Sequence, residues 1–187
     1  MRVSYSNTIQ NNFHGKSAFI WFIAGTTAVV LNWLGDFWGS ILYPVFSLPA
    51  ARFAGFFFNA VPIFDEKGLI LIPFAHSSIQ ITPDCSGYSF FCLMTAIFVV
   101  FYRDIKWRMP IIGRVGLILL AAYVITIITN GFRIVSAYKI HLIVSKNFPA
   151  SAQDLAHLVV GITIFLTVLL FVYLALERKV CYDRTRE

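Results

Sequence analysis

Four apolar runs, separated by polar or charged segments, dominate the pattern of hydrophobic and polar positions along the chain. A helix that crosses a bilayer needs roughly 20 apolar residues. The runs at residues 17–35, 86–102, 109–129 and 155–176 therefore predict four transmembrane helices. The second run is short and must use its polar ends or a locally thin bilayer to cross. The pattern predicts an all-α integral membrane protein with a single domain over residues 1–187.

The segment between the first two predicted spans, residues 36–85, has a mixed pattern. Residues 41–62 are apolar, but they contain Pro44, Pro49 and Arg52. We therefore predict a helix around residues 48–60 that lies in the outer membrane interface. The run is also apolar enough to cross the membrane, and the sequence alone leaves that alternative open.

Two short runs follow this helix, Leu-Ile-Leu-Ile at residues 69–72 and Ser-Ile-Gln-Ile-Thr at residues 78–82, and they predict two strands. Unpaired strands do not survive in lipid, so their backbone must be covered by protein or by the headgroup region. Residues 36–85 are thus expected to form an extracytoplasmic or interfacial cap that leads directly into Cys85.

Composition supports a membrane protein. The chain has 187 residues, of which 58% are hydrophobic and 13% charged, and its mean hydropathy is +0.75. A soluble domain of this size normally has about a quarter charged residues. The net charge of +6 does not indicate a nucleic-acid surface, because the basic residues are spread between apolar runs and form no patch.

Lysine and arginine favour the cytoplasmic side of a membrane. When the loop 103–108 and both chain termini are placed in the cytoplasm, and Arg114 extends back to the same interface, ten of the 15 basic residues lie inside. The first apolar run lacks a small-x-small cleavage site and is interpreted as a retained anchor. The five basic residues left outside are Arg52, Lys67, Arg133, Lys139 and Lys146.

Cys85 lies in the run Pro-Asp-Cys-Ser-Gly, immediately before the second predicted span. We expect it in the first turn of that helix, where free N–H groups and the helix dipole favour a thiolate. The amides of Ser86 and Gly87 are candidates for binding an oxyanion. Asp84 opposes thiolate formation, because a neighbouring carboxylate raises the pKa of a thiol. The alternative is that Cys85 is a small apolar packing residue.

Arg133 is expected at the outer end of the third helix, where Gly131 would let the chain leave the helix. If it points inward, it needs an anionic partner such as a thiolate or a tetrahedral oxyanion. Asn130 is the predicted supporting residue that holds it in place. Alternatively, Arg133 is an interfacial anchor.

His157 is expected at the start of the fourth helix, three residues after Asp154, so that the two share one helix face. Asp154 could then orient the imidazole, as the third member of a catalytic triad does. The alternative is a histidine that caps its own helix. Gly161 would by default be a site of close helix packing.

The predicted topology brings Cys85, Arg133 and His157 to one face of the membrane, outside the cytoplasm. A nucleophilic thiol, a cation and a proton carrier together are suited to acyl transfer. The four histidines show no metal-ligand spacing, and no glycine-rich phosphate loop is present, so we expect neither metal nor cofactor. The three cysteines form no C-x-x-C pair, which argues against a thiol redox protein.

Three short blocks resemble the exosortase/archaeosortase family of membrane cysteine transpeptidases. They are Cys85-Ser86-Gly87, Asn130-x-x-Arg133-Ile134 and His157-x-x-x-Gly161. Their cysteine, arginine and histidine lie 48 and 24 residues apart in that order, and the similarity covers about residues 48–176. The chain is short and resembles the compact variants, among which the K type is one candidate.

The resemblance implies that Cys85 is the nucleophile and that Arg133 and His157 complete the catalytic site. The implied substrates are exported proteins with a carboxy-terminal sorting tail, consisting of a motif such as Pro-Glu-Pro, one transmembrane helix and a basic cluster. The implied location is the cytoplasmic (inner) membrane, with the active site on the outer face. The rival interpretation is a non-catalytic membrane scaffold, assembly factor or small transporter subunit.

Overall fold

The computed structural model of the protein describes residues 22, 25, 26, 28–30, 33, 38–74, 78–83, 86–102, 109–145 and 149–184. Beyond the helical positions between residues 22 and 33, these residues contain four helices, named α1 to α4, and three short strands, named β1 to β3. The helices are α1 (Gly39–Phe58), α2 (Tyr88–Tyr102), α3 (Ile111–Val144) and α4 (Ala150–Arg184). The strands are β1 (Ile63–Phe64), β2 (Ile70–Pro73) and β3 (Ser78–Ile81).

The predicted all-α membrane fold with a small strand-like cap is confirmed. Three helices within the described ranges are long and apolar enough to cross a membrane, namely α1, α3 and α4. This is one fewer than the four predicted. Of the predicted spans, 17–35 lies mostly outside the described residues, although those of its positions that are described are helical.

Helices α2, α3 and α4 coincide with the other three predicted spans, but two of them are much longer. The run at 109–129 is extended to Val144 in α3, and the run at 155–176 begins at Ala150 and ends at Arg184 in α4. At 1.5 Å per residue α3 and α4 are each about 50 Å long, well beyond a hydrocarbon core of about 30 Å. By the same measure α2 is only about 22 Å long.

Helix α1 differs most from its prediction. It begins nine residues before the predicted interfacial helix at 48–60 and continues through both of its prolines. It ends where Asn59 adopts a left-handed backbone conformation, with φ of 51°, which asparagine tolerates better than most residues. The N–H of Ala60 then donates to the Gly55 carbonyl at 3.0 Å, and the chain turns back towards the sheet.

The three strands form an antiparallel sheet in the order β1-β2-β3. Strands β2 and β3 agree with the predicted runs at 69–72 and 78–82, whereas β1 is too short to be visible in the sequence pattern. Alternate residues of β2, Ile70 and Ile72, are completely buried against α1 and pack in one core with Ile81 of β3. The sheet therefore covers one flank of α1.

The Tyr43 side chain connects α1 to this sheet. Its hydroxyl donates to the carbonyl of Ile81 at 2.6 Å and accepts a hydrogen bond from the N–H of Ile70 at 2.8 Å. Because Tyr43 is buried, both backbone groups are satisfied away from water. This contact fixes the end of β3, and with it the start of the segment that leads to α2.

Helices α1 and α3 run side by side in the same direction. The hydroxyl of Tyr123 donates to the Val45 carbonyl at 2.9 Å, and further along both helices the rings of Phe58 and Tyr138 lie 5.3 Å apart. Helices α2 and α4 are also parallel to each other, because Phe90 contacts Phe165 and later Phe101 contacts Tyr173. The start of α2 and the first half of α4 thus lie at one end of the bundle.

Candidate active site

Gly87 precedes α2 and shapes the approach to it. Its φ of 81° lies in the left-handed region that glycine adopts without strain. The N–H of Ser86 donates to the Pro83 carbonyl at 3.0 Å, and the Ser86 hydroxyl accepts from the N–H of Tyr88 at 3.3 Å. Residues 86–88 therefore form a turn that leads into α2.

This turn corrects two expectations for the cysteine block. Helix α2 begins at Tyr88, so Cys85 precedes the helix by three residues and is not in its first turn. The N–H of Ser86 is already bonded to Pro83, which leaves Gly87 as the candidate amide of the pair. Asp84 and Cys85 themselves lie outside the described residues.

Asn130 lies directly against this turn. It is fully buried in α3, and a Cβ atom at Gly87 would be 3.2 Å from both its Cγ and its Nδ2. The close approach requires a residue without a side chain at position 87. The first and second sequence blocks, 85–87 and 130–134, therefore meet in space.

The side chain of Arg133 lies between α3 and α4. A Cβ atom at Gly161 would be 2.8 Å from its Nε and 3.5 Å from its Cζ. The Nε atom is buried, and the guanidinium carbon lies 5.3 Å from the centre of the Phe165 ring. Arg133 thus points into the bundle, and Gly161 is the residue that leaves room for it. The second and third blocks meet through this contact.

His157 lies one turn before Gly161 on α4 and is exposed. Residues four apart share a helix face, so His157 is on the side that carries the Arg133 contact, about 6 Å along the axis. The expectation that His157 begins the helix is wrong, because α4 begins at Ala150. Asp154 is within α4, and its side chain is not among those described.

Gly131 has a different role from the one expected. It does not end the third helix, which continues for 13 more residues to Val144. A Cβ atom there would collide with the Phe53 ring and lie 3.2 Å from the Ala50 carbonyl oxygen. Gly131 therefore allows close contact between α1 and α3, and Arg133 lies inside a helix and not at its end.

The aromatic residues beneath Arg133 were not predicted. Phe165 and Phe90 stack with ring centres 4.5 Å apart and planes 12° apart, and Phe90 is buried. Phenylalanine is too common in apolar helices to stand out in a sequence. The sequence signal that could have identified Phe165 is its spacing of four residues from Gly161, which places the two on one face of the helix. Among the described residues, no group of three or more His, Cys, Asp or Glu could hold a metal ion.

These features define a multi-pass membrane protein in which Gly87 packs against Asn130, and Gly161 against Arg133, at one end of the bundle. The family model described as transmembrane exosortase (Exosortase_EpsH) matches residues 15–174. The chain belongs to this exosortase family, and membership supports a role in membrane protein sorting by transpeptidation in general. No curated protein and no solved structure matches the chain significantly.

Proposed function

We propose that the protein is a cysteine protease/transpeptidase of the cytoplasmic (inner) membrane, with its site on the outer face. It cleaves the carboxy-terminal sorting tail of exported proteins and transfers them to an acceptor. Family membership supports the general role. The pairwise contacts between the three sequence blocks support this particular site.

Cys85 is the proposed nucleophile. Its thiolate sulfur forms a bond to the carbonyl carbon of the scissile peptide, and the carbonyl oxygen takes up the negative charge. The guanidinium of Arg133 offsets that charge, with the Gly87 N–H as a candidate second donor. When the tetrahedral intermediate collapses, the C–N bond breaks and a thioester to Cys85 remains.

His157 is the proposed proton carrier. It gives a proton to the leaving amine and later takes one from the acceptor that attacks the thioester, which regenerates the Cys85 thiolate. Asp154 is proposed to orient the imidazole. The exposed position of His157 suits a group that must meet both a departing tail and an incoming acceptor.

The observation that carries the proposal is the double contact of α3, with Gly87 through Asn130 and with Gly161 through Arg133. Asn130 and Arg133 are three residues apart, so they lie on one face of α3. One face of α3 thereby contacts both the turn at Gly87, after Cys85, and α4, which carries His157.

The test uses a tripartite-tail protein, meaning an exported protein from the same genome whose carboxy-terminal tail has a short motif, a transmembrane helix and a basic cluster. Its processing is measured as the decrease in its size. We expect Cys85→Ala to abolish processing and Arg133→Ala to reduce it by at least about 10²-fold, the loss typical of a removed oxyanion donor. Cys92→Ala is the matched control, because Cys92 is buried in α2 one full turn inside the helix.

Unchanged processing with Cys85→Ala would reject the nucleophile assignment. If the native chain also leaves every tripartite-tail protein of the genome intact, the catalytic proposal as a whole is overturned in favour of a non-catalytic membrane scaffold. Amounts of each variant in the membrane are measured in parallel, so that loss of protein is separated from loss of activity.

A further inference from the structure

The guanidinium of Arg133 lies over an aromatic face. Its carbon is 5.3 Å from the centre of the Phe165 ring, within the distance of about 6 Å at which a cation is attracted by the ring quadrupole. Phe165 is half-buried on α4, one turn after Gly161. The same helix therefore contacts Arg133 twice, once through its backbone and once through this ring.

The Phe165 ring is itself held in place from behind. Phe90 stacks on it at 4.5 Å with nearly parallel planes, and Phe90 is 4% exposed. Phe90 is in the first turn of α2, three residues after Gly87. The stack of Phe90 on Phe165 therefore connects α2, which follows the turn at residues 86–88, to the guanidinium of Arg133.

An aromatic face has a property that matters at this position. It attracts a guanidinium through its quadrupole and contributes no negative charge. The contact with the ring thus orients Arg133 and itself brings no neutralising charge, which suits a cation that acts on a developing oxyanion.

We propose that Phe165, backed by Phe90, is a positioning residue for Arg133. The inference rests on the proposed function, because it assigns the oriented guanidinium to the oxyanion formed at Cys85. Gly161 sets how close Arg133 comes to α4, and the Phe165 ring sets the direction in which its guanidinium plane lies.

The contact is tested first without any substrate. Arg133→Met, Phe165→Leu and the double variant are compared with the native chain by thermal unfolding in detergent. We expect the two single decreases in unfolding temperature to sum to more than the decrease of the double variant, because either change alone removes the same interaction. Strictly additive decreases would overturn the proposed contact.

The functional part is tested by replacing Phe165 with phenylalanines that carry one, two or three ring fluorines. Fluorination weakens the quadrupole stepwise and changes the shape of the ring little. We expect the rate of tail processing to fall progressively, by about two- to thirty-fold in total, the range given by the strength of cation–π contacts. Packing alone does not produce such a graded loss.

The same series at Phe171 is the matched control. Phe171 is on the same helix but is 72% exposed, and its fluorination should leave the rate unchanged. The positioning role is overturned if the rate of tail processing does not change along the fluorinated series at Phe165 while Arg133→Ala loses processing. That result leaves the proposed function intact. Normal processing in Arg133→Ala overturns the role of Arg133 itself, whatever the unfolding temperatures of the single and double variants show.

Discussion

Two glycines in the sequence blocks have packing roles that depend on the residue across from them. Gly87 contacts Asn130, and Gly161 contacts Arg133. Both contacts are with polar side chains of α3, the helix between them. The glycines of the blocks therefore belong to the proposed site, since each one determines where a polar group can lie.

Gly161→Ala provides a prediction at this scale. The added Cβ would be 2.8 Å from the Nε of Arg133, so the arginine side chain must move while the helix itself is undisturbed. We expect tail processing to fall by up to about 10²-fold, as displacements near 1 Å from a catalytic geometry can produce. The rate of processing at equal membrane levels of protein is the measurement.

Gly116→Ala is the control for that substitution. Gly116 is also inside a helix, but a Cβ atom there would meet nothing within 4 Å. Alanine should be neutral or stabilise α3 by about 0.5–1 kcal/mol. If Gly161→Ala processes the tail as fast as Gly116→Ala does, the packing of Arg133 against α4 is irrelevant to activity.

At the residue scale, the sequence singles out the three blocks as candidates but does not show how they touch. Arg133 and His157 stand out because charged and titratable groups are rare in apolar helices. Phe165 does not stand out, because its role depends on a neighbour 32 positions away in the chain. Gly131 was misinterpreted for the same reason, since only the position of Phe53 shows why a side chain is excluded there.

Among the elements, the sheet and α1 form one unit held by Tyr43. Its hydroxyl bonds both β2 and β3 at buried positions, where a lost hydrogen bond is not replaced by water. After β3 the chain leads into the turn at residues 86–88, directly after Cys85. The position of that turn therefore depends on a side chain 42 residues before Cys85.

Tyr43→Phe tests this unit. The substitution leaves the Ile81 carbonyl and the Ile70 N–H without their tyrosine partner, and we expect a loss of about 1–3 kcal/mol in the free energy of unfolding. Faster amide hydrogen exchange in β2 and β3 is the accompanying sign. Tyr123→Phe removes one hydrogen bond, to the exposed Val45, and should cost less. Equal losses in the two variants would contradict the argument.

The elements also show the limits of apolar patterns. Such runs locate helices well, which is why α2, α3 and α4 were anticipated. They do not show where a helix ends once it leaves the lipid, and α3 therefore passes its predicted end by 15 residues. The two prolines in α1 argued against a span over residues 41–62, but the helix continues through them, because packing against α3 and the sheet outweighs the lost hydrogen bonds.

For the whole molecule, the parallel course of α1 and α3 bears on topology. If the basic loop 103–108 is cytoplasmic, α3 runs outward and α1 runs outward beside it. The start of α1 then lies deeper in the membrane than its end. This arrangement differs from the expectation that all of residues 36–85 lie at or beyond the outer interface.

Labelling with a membrane-impermeant thiol reagent distinguishes the two arrangements. In a chain whose native cysteines are replaced, Asn59→Cys at the end of α1 should react from outside, while Trp38→Cys at its start should be protected. Both positions are exposed on the protein surface, so only the membrane can protect one of them. Equal labelling of the two would show that α1 lies flat in the interface.

The length of α3 below the site has a consequence for substrate choice. From Ile111 to Arg133 the helix rises by 22 residues, or about 33 Å, close to the thickness of the hydrocarbon core. A substrate helix of the same depth would present to the site the peptide bond about 22 residues before its basic cluster. With the proposed function, the protein would then measure the distance from the basic cluster to the cut, as a molecular ruler. If the substrate helix is lengthened by one turn, the cut should move relative to the motif by the number of residues inserted. A cut that stays at the motif would show that the motif alone is recognised.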